Sequence, residues 1–169
     1  VCFDPRHNTT LAKLSVNAID GVLSEFQTQH TELGDRPEIE HVLMFENKDE
    51  AVGVSNPHPH GQIYATDFVF KTIETEAAAS RRYWDENGRT LFGDILKKES
   101  ADGSRILFEN DSAIAVIPYF ARYAYEVYVA PKDSHANVAG LSASERRDLS
   151  EVLKHVLVKF DNLWEMSFP

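Results

Sequence analysis

The sequence has a single cysteine, Cys2, so no disulfide bond can form within the chain. Disulfides are rare in the reducing cytoplasm, which is therefore the compartment that we expect for this protein. The sequence also has no apolar run close to the roughly 18 residues of a membrane-spanning helix, and its first residues show no signal-peptide pattern. We therefore expect no membrane association.

Positive charge is scarce: 17 lysines and arginines stand against 27 aspartates and glutamates, which gives a formal net charge of −10. Proteins that bind the phosphate backbone of nucleic acids, or an anionic membrane surface, carry an excess of positive charge. The charge balance therefore argues against a nucleic-acid partner. It does not exclude a small anionic substrate, because such a site needs only a few local donors or a metal ion.

The length of 169 residues and the 43% of hydrophobic residues are enough for one folded domain, or one and a fraction. Apolar residues at helical spacing begin after Ser15, a predicted N-cap, and end at Gly34. Ser142 and Glu145 form a predicted capping box for the last helix. The predicted buried stripe of that helix is Leu149, Val152, Leu153, Val156, Phe160 and Leu163. Further helices are predicted at 71–87 and 90–100, and strands at 1–4, 39–47, 51–55, 61–68, 105–110, 112–119 and 125–131.

Two segments of the chain follow a similar plan. "FDPRHNTTLAKLS" (3–15) and "VAPKDSHANVAGLS" (129–142) each lead from a strand end through a loop to Leu-Ser before a helix. This weak repeat predicts the back half of one α+β unit followed by the front half of a second. The chain begins with Val rather than Met and stops soon after a helix, so we expect it to be a piece of a longer protein.

The most informative stretch is "SNPHPHGQ" (55–62), which places His58 and His60 two residues apart. Pro57 and Pro59 fix their own φ angles and favour an extended conformation in the residues before them. In an extended segment, side chains two residues apart point to the same side. We therefore expect both imidazoles on one side of the turn.

These residue types allow three roles for the two histidines: metal ligand, nucleophile or plain turn residue. A histidine that attacks phosphorus needs one ring nitrogen unprotonated and the other hydrogen-bonded, and a proline-flanked turn offers backbone carbonyls for that bond. Gly61 would let a ligand approach the backbone, and Gln62 would add an amide on the same side. A proline-rich turn with two exposed histidines stays open as the competing interpretation.

The stretch "ENKDEAVGVSNPHPHGQIYA" (46–65) resembles the active-site motif of the galactose-1-phosphate uridylyltransferase family, part of the histidine-triad superfamily. The resemblance continues, in the same order, through "CFDPRHNTTL" (2–11), "ADGSR" (101–105), "VIPYFARYAYEVYVAPK" (116–132) and "FDNLWEMSFP" (160–169). It implies a histidine-triad-like α+β fold with an antiparallel sheet and packed helices. The end of a first repeat would occupy 1–70, a helical connection 71–104, and the start of a second repeat 105–169.

The resemblance also implies a reaction. UDP-glucose would give UMP to an enzyme histidine, glucose 1-phosphate would leave, and galactose 1-phosphate would then take the UMP. His60 matches the nucleophile, and Gln62 matches the residue that hydrogen-bonds the phosphoryl oxygens. The residues that match contacts with the uridine diphosphate are Asn47, Gly53, Ser55 and Gln62. The implied assembly is a cytoplasmic homodimer.

Two metal sites are implied in part. His7 and His58 match two ligands of a structural zinc that needs about four, and the other two would lie outside the chain. Glu76 matches the carboxylate of a second site, for zinc or iron, whose histidines would also lie outside. A solvated loop for His7 and a solvated helix face for Glu76 are the competing interpretations. With both sites incomplete, we expect little or no activity from these 169 residues alone.

Two other functions fit the same residues. A nucleotide-sugar phosphorylase or a histidine-triad hydrolase would keep the covalent histidine but use phosphate or water as the acceptor. A non-catalytic nucleotide-binding module would use the pocket without chemistry. Gln62 stands where the hydrolase branch has a third histidine, and it favours the transferase because an amide cannot protonate a leaving group.

Overall fold

The structure, a computed structural model, describes residues 1–54, 56 and 58–163. The helices in this part of the chain are α1 (Val16–Gly34), α2 (Lys71–Asn87), α3 (Leu91–Asp102) and α4 (Ala143–Leu163). The strands are β1 (His41–Phe45), β2 (Gln62–Thr66), β3 (Ile106–Glu109), β4 (Ala113–Val116) and β5 (Tyr128–Pro131). Short 3₁₀ turns lie at Leu11–Lys13, Glu50–Val52 and Val138–Gly140.

The strands form two small antiparallel sheets. β1 pairs with β2 in a register that places Phe45 opposite Gln62. β3, β4 and β5 lie side by side with β4 in the centre. The predicted α+β class with antiparallel pairing is therefore confirmed. Within the described residues, no helix combines the length and the apolar character that crossing a bilayer requires.

Both predicted helix caps form. The Ser15 hydroxyl accepts the Ala18 N–H at 3.2 Å at the start of α1. At the start of α4, the Glu145 N–H donates to Ser142 Oγ at 3.2 Å and the Ser142 N–H donates to Glu145 Oε2 at 2.8 Å. Hydrogen bonds from Ser142, followed by one from His135, lower the pKa of Glu145 to about 2. The capping box therefore holds an ionised carboxylate at the helix N-terminus, where it is favoured.

The central strand β4 is buried on both faces. Ala113 and Ala115 pack against Val152 and Val156 of α4. The alternate residues of β4 face the other way and pack against Leu96 of α3. Side chains alternate across a strand, so a strand covered on both sides is apolar throughout, as "AIAV" is.

Two local predictions are wrong. The sequence predicts a strand at 51–55, but Glu50–Val52 is a 3₁₀ turn. Asp49 and Gly53 have φ angles of +88° and +80°, and a left-handed backbone at these two positions interrupts any extended strand. The buried stripe of α4 also stops before Leu163, which is 45% exposed and borders an open groove.

Helix α4 joins the second half of the chain to the first, because it packs against α1. The Arg146 guanidinium donates to the Asp20 carboxylate of α1 at 2.7 Å. The Lys154 ammonium donates to the carbonyl oxygens of Ala12, in the 3₁₀ turn that precedes α1, and of Leu14, the residue directly after that turn. The position of that turn is therefore tied to α4.

Candidate active site

The His-Pro-His turn is held by backbone pairing with the beginning of the chain. Cys2 and His60 lie opposite each other in an antiparallel bridge. Two backbone bonds of 2.9 Å flank the bridge, from the Phe3 N–H to the Pro59 carbonyl and from the Gly61 N–H to the Val1 carbonyl. The backbone of His60 is therefore fixed on both sides before β2 begins.

The imidazole of His60 has a defined orientation. Its Nδ1 lies 2.7 Å from the carbonyl oxygen of His58. A carbonyl oxygen only accepts hydrogen bonds, so Nδ1 of His60 carries the hydrogen. In the neutral ring this leaves the lone pair on Nε2. The turn therefore supplies the carbonyl that a nucleophilic histidine requires, and Nε2 is the nitrogen available to attack.

A side chain at position 61 would clash with two neighbouring phenylalanine rings, which explains the glycine there. A Cβ at this position would lie 2.6 Å from Cζ of Phe26 and 2.9 Å from Cζ of Phe3. These two rings pack edge to face, with their centroids 6.2 Å apart. The sequence suggests that this glycine opens the backbone to a ligand, whereas the structure shows two phenylalanine rings in the space that a side chain would need.

His7 and His58 meet across 51 residues of sequence, with their Nδ1 atoms 2.9 Å apart. Two nitrogens bound to one tetrahedral zinc at roughly 2.0–2.1 Å lie about 3.3 Å apart, so the pair needs only a small adjustment to share a metal ion. The loop before His7 is ordered by Arg6, which donates to the Asp4 carboxylate through its side chain at 2.8 Å. This side-chain bond and one from the Arg6 backbone lower the pKa of Asp4 to about 2.

The residues present fit half of a zinc site. In the described parts of the chain, no group of three or more His, Cys, Asp and Glu side chains converges as metal ligands would. Glu76 lies exposed on α2, a helix with no buried residue. The structure therefore brings His7 and His58 together and gives Glu76 no described ligand partner.

A small cavity of about 40 Å³ lies beside the turn and brings three of the predicted site residues together: Asn47, His58 and His60. A cavity of this size has room for a water molecule or a single small group. Gly53 lies outside it in the exposed turn after Glu50–Val52. Gln62 is the first residue of β2, two positions beyond His60. Ser55 falls outside the described residues.

Two further residues that line this cavity, Thr10 and Glu46, were given no role by the sequence analysis. The hydroxyl oxygen of Thr10 is buried and has no hydrogen-bond partner among the described residues. Burial raises the pKa of Glu46, and the nearby Lys48 and His60 oppose that shift. The pairing of β1 with β2 explains the position of Glu46. Glu46 directly follows Phe45, and Phe45 pairs with Gln62, two positions after His60, so Glu46 leaves the sheet at the end where His60 lies.

Models of the galactose-1-phosphate uridyl transferase N-terminal and C-terminal domains match residues 1–69 and 76–169. The chain belongs to the galactose-1-phosphate uridylyltransferase family. The two matches extend well beyond the His-Pro-His motif, so the resemblance inferred from sequence is confirmed over nearly the whole chain.

Named members of the galactose-1-phosphate uridylyltransferase family match over the full chain. The galactose-1-phosphate uridylyltransferase of Haemophilus influenzae is 38% identical over 169 residues, covering 100% of this chain and 48% of the relative. That of Saccharomyces cerevisiae is 33% identical over 174 aligned residues, covering 100% of this chain and 48% of the relative. The chain therefore spans about half the length of the curated relatives that it matches.

Two solved structures share the fold of this chain. A structure described as a uridylyltransferase matches with a TM-score of 0.93 at 28% identity, covering 99% of this chain and 53% of that one. An ADP-glucose phosphorylase from Arabidopsis thaliana, solved with bound ADP-glucose, matches with a TM-score of 0.85 at 22% identity, covering 96% of this chain and 50% of that one. At that identity, the second match supports the fold alone.

Proposed function

We propose that the intact protein transfers UMP from UDP-glucose to galactose 1-phosphate through a covalent uridylyl-histidine. The observation that carries this proposal is the 2.7 Å contact between Nδ1 of His60 and the His58 carbonyl, which leaves Nε2 as the nucleophile. The relatives named galactose-1-phosphate uridylyltransferase, which align with the whole chain, support the choice of substrates.

The chemistry takes place in two displacements at the same phosphorus. Nε2 of His60 attacks the α-phosphorus of UDP-glucose, and an N–P bond forms as the bond to the oxygen of glucose 1-phosphate breaks. The electron pair of the broken bond leaves with glucose 1-phosphate. A phosphate oxygen of galactose 1-phosphate then attacks the phosphorus, UDP-galactose forms, and His60 recovers its lone pair.

In this proposal Gln62 hydrogen-bonds the phosphoryl oxygens, and Asn47, Gly53 and Ser55 contact the uridine diphosphate. Asn47 supports the assignment because it lines the cavity that His60 also lines. Gly53 supports it because, among the described residues other than its neighbours in the chain, no heavy atom lies within 4 Å of the position that its Cβ would take, so a ligand can approach the backbone there. For Ser55 the support is the motif alone.

The function is tested with the intact protein and UDP-glucose labelled at the α-phosphate. After a quench without acceptor, we expect the label on the peptide that contains His60, with one glucose 1-phosphate released per label. Added galactose 1-phosphate should discharge the label as UDP-galactose. Faster discharge to inorganic phosphate or water would identify a phosphorylase or a hydrolase instead, and a protein that never becomes labelled would rule out the covalent mechanism.

His7 and His58 are proposed as two ligands of a structural zinc, with the remaining ligands outside this chain. A bound zinc would hold the loop that carries His7 against the His-Pro-His turn. Glu76 is proposed as the carboxylate of a second metal site, for zinc or iron. The 2.9 Å approach of the two imidazoles supports the first assignment, and the family motif alone supports the second.

Replacing His7 by alanine in the intact protein is expected to remove about one zinc per subunit, because a structural zinc needs about four ligands. Elemental analysis after dialysis measures the loss, and His30→Ala on α1 is the matched control. A His7→Ala protein that keeps the wild-type zinc content would contradict the assignment.

The intact protein is further proposed to be a cytoplasmic homodimer, with the chain divided into parts 1–70, 71–104 and 105–169. The arrangement of elements supports this division, because β1 and β2 lie in the first part, α2 and α3 in the second, and β3, β4, β5 and α4 in the third. The dimer is tested by sedimentation equilibrium of the intact protein, and a monomer at micromolar concentration would contradict it.

A further inference from the structure

Helix α4 makes hydrogen bonds to two segments that border the cavity beside His60. In the first segment, the Lys48 ammonium lies 2.7 Å from Oδ1 of Asp161 on α4, and these side chains are only 24% and 25% exposed. Lys48 lines the cavity together with Asn47 and His60. A carboxylate of the second half of the chain therefore holds a residue of the cavity wall in the first half.

The second segment that borders the cavity, the 3₁₀ turn before α1, is hydrogen-bonded to the same helix. Lys154 of α4 donates to the carbonyl oxygens of Ala12, at 3.3 Å, and of Leu14. Ala12 lies in the 3₁₀ turn Leu11–Lys13 and Leu14 directly follows that turn. The turn begins directly after Thr9 and Thr10, and both threonines line the cavity. Helix α4 therefore helps to fix two segments that border the cavity.

The segment around Lys48 needs such support because of its backbone. The next residue, Asp49, has a φ angle of +88°, a region that is unfavourable for a residue with a Cβ atom. Unfavourable conformations of this kind persist only where surrounding contacts fix them. The ion pair with Asp161 is one such contact, and it reaches across 113 residues of sequence.

We propose that Asp161 is a positioning residue for this active site, which fixes segment 46–49 beside His60 by holding Lys48. Asp161 is not among the residues that line the cavity, so it acts through Lys48 and not on the substrate. The two partners lie in the two regions matched by different domain models, 1–69 and 76–169, so the pair couples one region to the other. The activity readout of this inference rests on the proposed uridylyl transfer, and its binding readout does not.

A purely structural ion pair would behave differently. Lys48 and Asp161 are partly buried, so breaking their ion pair is expected to cost some stability in either role. If the pair has only a structural role, activity falls in proportion to that loss of stability. A positioning pair lowers the rate by more than the loss of stability accounts for, because displacing a catalytic group by about 1 Å can cost up to about 100-fold in rate. The two roles therefore separate when rate and melting temperature are measured on the same variants.

The test compares Asp161→Asn with Asp148→Asn, a change of the same kind on the same helix at a residue outside the cavity lining. In the intact protein, we expect Asp161→Asn to lower kcat/KM for UMP transfer about 10- to 100-fold. We also expect the Kd for UDP, measured by calorimetry well below the melting temperature of each variant, to rise about threefold or more. Because the pair is partly buried, Asp161→Asn is expected to melt at a lower temperature than Asp148→Asn, so the rates are compared at a temperature where both variants are folded. Asp161→Glu should recover most of the rate, and Asp161→Asn should add no further loss in a Lys48→Met background.

The possible outcomes separate this inference from the proposed function. If wild-type protein transfers UMP and Asp161→Asn matches Asp148→Asn in rate and in UDP affinity, the positioning role is wrong and the proposed function stands. If no uridylyl-histidine forms but Asp161→Asn alone weakens UDP binding, the positioning role stands and the proposed function is wrong. The positioning role is wrong if the rate of Asp161→Asn falls only in proportion to its loss of stability. It is also wrong if Asp161→Asn lowers the rate further in the Lys48→Met background.

Discussion

Replacing His60 by asparagine is expected to lower uridylyl transfer about 10⁴-fold or more, the scale of loss seen when an enzyme's nucleophile is removed. Asparagine keeps an N–H donor close to the position of Nδ1, so the bond to the His58 carbonyl, 2.7 Å long with histidine, can be retained. It has no basic nitrogen in place of Nε2, so no N–P bond can form. Turnover with UDP-glucose and galactose 1-phosphate measures the loss.

The same variant is expected to bind UDP with nearly unchanged affinity, because His60 contributes a reacting atom and not the main contacts to uridine. His30→Asn, on α1 and outside the cavity lining, is the control and should keep wild-type turnover. If His60→Asn turns over like the wild type, His60 is not the nucleophile. If it fails to bind UDP and also melts early, the variant has lost its fold, and the mutation then has to be repeated as His60→Gln.

The carbonyl contact that orients the His60 ring was predictable from sequence because its causes are local. The prolines before His58 and His60 restrict the backbone within the turn itself, and the carbonyl that fixes the His60 ring belongs to a residue two positions away. The capping box of α4 is local in the same sense, since its two partners are three residues apart. Effects that act over two to four residues can be inferred from the chain alone.

The parts of the site that sequence did not predict depend on contacts between distant segments. The Phe26 ring that occupies the space beside Gly61 is 35 positions away, and Asp161 is 113 residues from Lys48. Periodicity identifies a buried face without specifying which residue it meets. The pairing of His7 with His58 was expected only through the family resemblance, because nothing in the two loops themselves indicates that they meet.

The strand predicted at 51–55 was wrong for a different reason. Its residues favour strands, but the positive φ angle of Asp49 redirects the chain just before the segment. An aspartate tolerates this conformation better than most residues, yet it adopts it too rarely for a prediction from sequence. Asn47 and Lys48, which directly precede Asp49, line the cavity together with His60.

Replacing Gly61 by alanine is expected to destabilise the intact protein by about 1–3 kcal/mol, the usual cost of forcing an extra methyl group into a packed region. The new Cβ would lie 2.6 Å from Cζ of Phe26 and 2.9 Å from Cζ of Phe3, so the rings or the turn must move. Because His60 directly precedes Gly61, a shift of the turn should also lower UMP transfer, by about 10- to 100-fold. Thermal unfolding and steady-state turnover measure the two effects.

Gly21→Ala provides the matched control for the Gly61 variant. Gly21 lies within α1, and apart from the backbone of that helix no described residue has a heavy atom within 4 Å of the position of its Cβ. Alanine there should therefore stabilise the helix by about 0.5–1 kcal/mol. Combining Gly61→Ala with Phe26→Leu removes the ring atom that clashes most closely and should recover part of both the stability and the turnover. If Gly61→Ala alone is as stable and as active as the wild type, packing by Phe26 does not explain the glycine. If Phe26→Leu lowers stability and turnover further in the Gly61→Ala background, the clash with Phe26 is not the cause of the effects of Gly61→Ala.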